Sequence, residues 1–355
     1  MLRTTSFSAS VVVLLAAGLI AGSNAVAGPI LKETFTHGSM GTEFAFTIYT
    51  RSGDKDTAEI RKIADEAFAV VDDLDSRISV WRPDSQVTYI NDHAATGPVK
   101  AAPEVLDLLS YCKQVHAETE GAFDVTVGPL VSFWGFYRSE SADRRLPSEQ
   151  ELADARAKVG MDKVAIDRNE CTVAFSQEGV RLDFGGIGKG LALDRALGVL
   201  KRHGVKAAAL SAGTSSIVVL GAPPHQGAWK VRIRNPHNDQ KFLDEVFLRD
   251  QALSTSGSYE KFLELNGKKY CHILDPHTGR PVEGMLSVTV IGPSGMETDA
   301  LSTAFFVLGP EKARRYCEGH PGLQVILVPE AEEDALRPLR IGNGQTAGRF
   351  HFDFR

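Results

Sequence analysis

Polar and apolar positions alternate from Thr42 to Thr50 (TEFAFTIYT), the pattern of a strand with one buried face. The period then changes. Ile60, Ile63, Ala67, Val71 and Leu74 recur at three- and four-residue spacing and predict a helix over Thr57–Leu74. Val105, Leu108, Leu109, Cys112 and Val115 repeat that stripe over Glu104–His116, with Gly121 as a stop signal. Ser148 and Glu151 stand at capping-box spacing and open another helix. Lys163–Ile166 and Thr172–Phe175 read as a hairpin around Asp167-Arg168-Asn169-Glu170. Further strands are expected at Ala207–Leu210, Ile217–Leu220, Trp229–Arg234, Glu245–Leu248, Tyr270–Leu274, Ser287–Ile291 and Gln324–Val328. Strands outnumber helices and several are hairpin-spaced, so an α+β fold with a largely antiparallel sheet flanked by helices fits better than a doubly wound sheet. No linker or internal repeat divides residues 28–355, which read as one domain.

The N-terminus changes the picture of where this domain works. Arg3, the apolar run Val11–Ile20 and the small-residue site Ala25-Val26-Ala27 have the layout of a secretory signal peptide over residues 1–27. Cleavage after Ala27 implies an exported protein, periplasmic in a Gram-negative source. The first cysteine is Cys112, so no lipid-modified cysteine follows the cleavage point. The formal charge is −6, with no basic cluster, which argues against nucleic acid or anionic lipid as partner. The four cysteines (Cys112, Cys171, Cys271, Cys317) lack C-x-x-C spacing, so a zinc site is not expected.

Candidate chemistry is concentrated in a few segments. Leu182-Asp183-Phe184-Gly185-Gly186-Ile187-Gly188-Lys189-Gly190 precedes a helix-like run through Leu191, Leu193 and Leu197. Such a loop lets backbone approach an anion at a helix N-terminus, or simply makes a tight turn. It is neither a P-loop nor a G-x-G-x-x-G fingerprint. Asp299 and Thr303 lie four apart on an expected helix, so both face one side. Their hard oxygens suit Mg²⁺; alternatively Asp299 caps the helix. His272, before the turn Asp275-Pro276-His277-Thr278-Gly279, is placed to take a proton or to be a structural residue. Leu253–Tyr259 reads as a hydroxyl-rich loop able to bind phosphate or turn the chain. Gly121–Leu130, with Phe133-Trp134-Gly135-Phe136 behind it, offers a surface for a flat ring or a piece of core.

Taken in order, these segments resemble the ApbE family of flavin transferases. The resemblance runs through Met40-Gly41-Thr42, Ser79–Ser85 with Asn91, Gly121–Asp124 to Phe136, Asp183–Gly190, Ser254–Gly257, His272–Pro276 and Asp299–Thr303. It implies a T-fold-like core, FAD bound in a cleft as substrate, and Mg²⁺ at its pyrophosphate. By that resemblance Met40, Trp81, Ala122, Phe123, Asp124, Asp183, Lys189, His272 and Ile273 line the FAD site. Gly186 (through its carbonyl), Asp299 and Thr303, with Ser302 near, would hold the metal, and His272 would be the base. The implied reaction moves FMN from FAD to a threonine or serine of an exported or membrane-bound flavin-carrying redox subunit, releasing AMP. FAD hydrolysis to FMN and AMP, or non-catalytic FAD binding, are the alternatives. Where such sequences usually carry Gly-Gly-Asn/Asp, this chain has Ser211–Ser216, a departure that could remove a nucleotide or acceptor contact.

Overall fold

The structure, a computed structural model, describes residues 29–51, 53–136, 145–238, 240–332 and 335–342. The proposed signal peptide lies outside the described residues. Eight antiparallel strands form the main sheet, in spatial order β1 (Ile30–Ser39), β2 (Thr42–Arg51), β6 (Ala207–Ala212), β7 (Ser216–Leu220), β10 (Ala252–Gly257), β15 (Met285–Gly292), β16 (Gln324–Pro329) and β17 (Leu339–Ile341), all numbered in chain order. A three-stranded sheet is formed by β3 (Val99–Lys100), β5 (Thr172–Phe175) and β4 (Val164–Asp167). Three separate hairpins are β8 (Trp229–Arg234) with β9 (Phe242–Leu248), β11 (Phe262–Leu265) with β12 (Lys268–Cys271), and β13 (Leu274–Asp275) with β14 (Arg280–Pro281). The helices are α1 (Thr57–Ile78), α2 (Gln86–His93), α3 (Pro103–Glu118), α4 (Gly128–Trp134), α5 (Glu149–Arg156), α6 (Gly188–Arg202) and α7 (Gly295–Glu318). The α+β expectation, with its largely antiparallel sheet, holds.

Strand alternation explains the layers. In β7, Val218 joins the helix-side core, while Ile217 and Val219 point the other way. The helix side is covered by α1, α6 and α7; α1 buries the stripe Ile60, Ile63, Ala67, Val71 and Leu74, extended to Ile78. On the opposite face β8–β9 lays Trp229, Val231, Ile233, Val246 and Leu248 over Ile217, Val219, Leu253 and Ile291. Both sheet faces are therefore dry, and β7 and β15 are buried along nearly their whole length. A smaller cluster gathers Leu130 and Trp134 of α4, Leu152 and Ala155 of α5, and Leu274.

Two expectations need correction, and Trp134, left open between a ligand surface and core, proves to be core. The hydroxyl-rich stretch Leu253–Tyr259 is not a loop: Ala252–Gly257 is strand β10, deep in the main sheet, and turns only beyond Gly257. Its hydroxyls find hydroxyl partners, Ser254 with Thr298 (3.1 Å) and Thr255 with Thr289 (2.8 Å), so polarity does not exclude it from the core. Tyr270–Leu274 is not one strand; β12 ends at Cys271 and β13 begins at Leu274, leaving His272 and Ile273 between two hairpins. Trp134 does not offer its ring to a ligand. It is buried, donates Nε1–H to the Gly279 carbonyl (2.7 Å) and packs beside Tyr270, tying α4 to the β13–β14 hairpin.

Candidate active site

The site is made by a helix crossing that only glycine permits. A Cβ on Gly190 would stand 2.0 Å from the Gly295 carbonyl oxygen, and one on Gly295 would stand 2.6 Å from the Gly190 oxygen. Here α6 and α7 therefore meet backbone against backbone. Asp194, one turn along α6, fixes the angle: its carboxylate accepts the Gly295 N–H (2.8 Å) and the Met296 N–H (2.9 Å). Two free N–H groups of the α7 start are thereby satisfied by a negative group at the positive helix end. Ser294 caps the same terminus through the Glu297 N–H.

That crossing puts Asp299 against the start of α6. Its Oδ2 accepts the Gly190 N–H (2.9 Å), and the Ser216 hydroxyl donates to Oδ1 (3.4 Å). The helix end that the sequence reading reserved for phosphate thus already holds a carboxylate, itself buried to 6 % exposure. One turn on, Thr303 meets the glycine loop: a Cβ on Gly186 would lie 3.2 Å from Thr303 Oγ1 and 3.5 Å from the Phe123 ring. Ser256 of β10 brings a third hydroxyl, 2.9 Å from Ser302 Oγ and 3.3 Å from Thr303 Oγ1. Ser302 and Thr303 turn their protons to the Asp299 carbonyl (2.9 and 3.4 Å), which leaves oxygen lone pairs for another partner. Segments over a hundred residues apart in the chain thus form one oxygen-rich corner.

Of the other predicted residues, Phe123 comes up against the Gly186 backbone. Asn91 grips the start of the glycine loop, accepting the Leu182 N–H (2.6 Å) and donating to the Leu182 carbonyl (3.0 Å). Asp183 follows; it accepts the Gly185 N–H (2.8 Å), and burial raises its carboxyl above the usual range. Ala122 and Phe123 are buried in the adjoining wall. The Asp124 carboxylate is engaged by Thr126 N–H and hydroxyl (2.7 and 2.6 Å) and by His116 (3.2 Å). Met40 occupies the tight β1–β2 turn with φ +50°, beside Gly41 at +69°. Trp81 is 63 % exposed after α1, the most open large apolar side chain among the described residues.

His272 is half-buried, and Lys261 sets its state. The Lys261 carbonyl accepts both the His272 backbone N–H (3.1 Å) and its ring Nδ1–H (3.0 Å). The proton is thereby assigned to Nδ1, and Nε2 keeps its lone pair. Burial first, then the charges of Lys261 and Lys189, push the imidazole down to about 4. A neutral imidazole at neutral pH follows. Ile273 beside it is buried. The sequence reading missed Asp194, Ser216, His116 and Lys261. Ser216 lies inside the Ser211–Ser216 departure, and rather than marking only a loss it supports Asp299.

This fold and this corner of hydroxyls, carboxylate and glycine backbone define a class. Residues 40–327 match the ApbE family, and the chain belongs to it. It is 31 % identical over 268 residues to an Escherichia coli K12 protein named FAD:protein FMN transferase, covering 74 % of this chain and 75 % of that one. A Haemophilus influenzae protein of the same name is 30 % identical, covering 86 % of this chain and 90 % of that one. The apo crystal structure of Pseudomonas stutzeri flavinyl transferase ApbE superimposes with a TM-score of 0.76 at 30 % identity, covering 88 % and 95 %. The ApbE protein of Thermotoga maritima gives 0.77 at 29 %, covering 88 % and 97 %.

Proposed function

We propose that this chain transfers FMN from FAD to a threonine or serine hydroxyl of an acceptor flavoprotein, releasing AMP, with Mg²⁺ required. The observation that carries the reading is the convergence of Gly186, Asp299 and Thr303, with a neutral His272 that feels the charge of the neighbouring Lys189, in a chain whose relatives bear that activity in their names. The acceptor oxygen bonds to the FMN-side phosphorus, the bond to the AMP oxygen breaks, and the hydroxyl proton passes to His272 Nε2.

Mg²⁺ fits the donor set. Asp299 gives a carboxylate, Ser302, Thr303 and Ser256 give hydroxyl oxygens, and the Gly186 backbone approaches Thr303 closely enough to add a carbonyl. Hard oxygen ligands together with substrate phosphate suit Mg²⁺ better than zinc. When bound, the ion neutralises charge on the phosphate oxygens. The protein's own residues do the rest: Lys189 attracts the anion, Asp194 and Gly190 hold Asp299 in place, and Lys261 orients the base.

Incubation with FAD, Mg²⁺ and a candidate acceptor protein tests the reading. AMP is expected from the wild type and not from Asp299→Ala; undiminished release by the variant would overturn the site. Residues 1–27 further support export, with the acceptor a subunit of an exported or membrane redox system. Among the described residues no helix is long and apolar enough to cross a membrane. N-terminal sequencing of the exported protein should begin at Gly28; an intact N-terminus would contradict cleavage.

A further inference from the structure

The turn between β10 and β11 carries charge that the reaction above leaves unused. Tyr259 and Glu260 turn the chain, and Lys261 stands just before β11 with its side chain exposed. Its carbonyl already holds both N–H groups of His272. Its ammonium acts electrostatically on Asp183, Glu260 and His272, and Lys189 from the first turn of α6 acts on the same Glu260 and His272. The remaining charges around this group are Asp299 from α7 and Arg234 from β8, both felt by Glu260. Among the described residues neither Lys189 nor Lys261 closes an ion pair within 4.0 Å. Two ammonium groups beside a neutral imidazole form a place for an anion to enter.

We propose that Lys261 is a second phosphate-binding cation of the cleft, taking phosphoryl oxygens of the dinucleotide together with Lys189 while its carbonyl keeps His272 Nε2 free as the base. The assignment rests on the flavin-transfer reading for its substrate, a nucleoside-diphosphate-type anhydride. It gives one residue two tasks, through two different atoms. The main-chain task survives any side-chain substitution, so the ammonium can be tested alone. With substrate phosphate bound, the two cations are offset and the imidazole becomes more basic as the hydroxyl must be deprotonated.

Lys261→Met and Lys261→Arg separate the tasks. AMP release in the presence of a candidate acceptor subunit is measured against FAD concentration and pH, and FAD binding by fluorescence titration. Lys261→Met is expected to lower kcat/KM on the order of 10²-fold, with a weaker FAD affinity. It should also move the acid limb of kcat/KM to higher pH, since a cation that disfavours imidazolium is gone. Lys261→Arg, which keeps the charge, should recover the acid limb and most of the affinity. A Lys261→Met protein with wild-type affinity and an unmoved acid limb overturns the assignment. If the wild type releases no AMP, the flavin-transfer reading fails separately, and equal FAD affinity in wild type and Lys261→Met then removes Lys261 as well.

Discussion

Replacing Gly190 by alanine drives a methyl group into the place where α6 and α7 touch backbone to backbone. The new Cβ would stand 2.0 Å from the Gly295 carbonyl oxygen, 2.4 Å from its carbon and 2.8 Å from Asp299 Cβ. None of these atoms is the far end of a flexible side chain. Bringing the shortest contact out to ordinary van der Waals distance parts the helices by about 1.4 Å along that line. The Gly190 N–H···Asp299 bond, now 2.9 Å, would then break, and both Asp194 bonds to α7 would stretch. Overpacking of this kind costs about 3 kcal/mol, which for a domain of roughly 300 residues lowers Tm by about 4–5 °C. A displacement of about 1 Å at the reacting centre costs on the order of 10²-fold in rate. Calorimetry and Mg²⁺-dependent AMP release measure the two effects on one preparation. Gly198→Ala on the same helix is the control, because its Cβ meets only the Arg202 guanidinium, at 3.8 Å. Alanine's better helix propensity makes that change neutral or stabilising by up to about 1 kcal/mol. A Gly190→Ala protein that melts with the wild type and releases AMP at the wild-type rate would refute the claim that this crossing positions Asp299.

Four further outcomes are expected. Because His272 is held down to about 4, wild-type AMP release should persist well below pH 6.5 before its acid limb appears. The same shift makes the unfolded chain take up a proton that the native chain refuses, so stability falls as pH drops from 6.5 toward 4; His272→Gln should flatten that part of a Tm-against-pH curve. His116 is shifted the other way, upward, chiefly by its bond to Asp124, so its contribution is full below pH 6.5 and lost as pH rises through the raised value. His116→Gln should therefore lower Tm most in acidic buffer and least in alkaline buffer; a pH-independent difference would contradict the ion pair. Trp134→Phe leaves the Gly279 carbonyl without its 2.7 Å donor and should cost about 1–3 kcal/mol in urea melts.

Much of the frame was legible because it depends on local periodicity. The α1 stripe, the β4–β5 hairpin and the capping box at Ser148 and Glu151 all stand where spacing placed them. What escaped depends on distant partners. Nothing local tells that Ser254 and Thr255 will meet Thr298 and Thr289, so a central strand looked like a loop. Strand β1 escaped for another reason: as an edge strand it is exposed on alternate residues and carries too few apolar side chains to show a face. The glycine loop and the Asp299–Thr303 pair stood out by composition, and the structure brings them together. Asp194 did not stand out, because an aspartate inside a helix carries no sign that it will cap a second helix. Lys261 was equally silent, since its main role in orienting His272 is played by a backbone carbonyl.

Intact-mass spectrometry of a candidate acceptor subunit co-expressed with this chain tests the central claim most directly. One FMN should be found on an acceptor threonine or serine, and none when Asp299→Ala replaces the wild type. An unmodified acceptor, with AMP and free FMN accumulating in equal amounts, would contradict transfer and leave hydrolysis in its place.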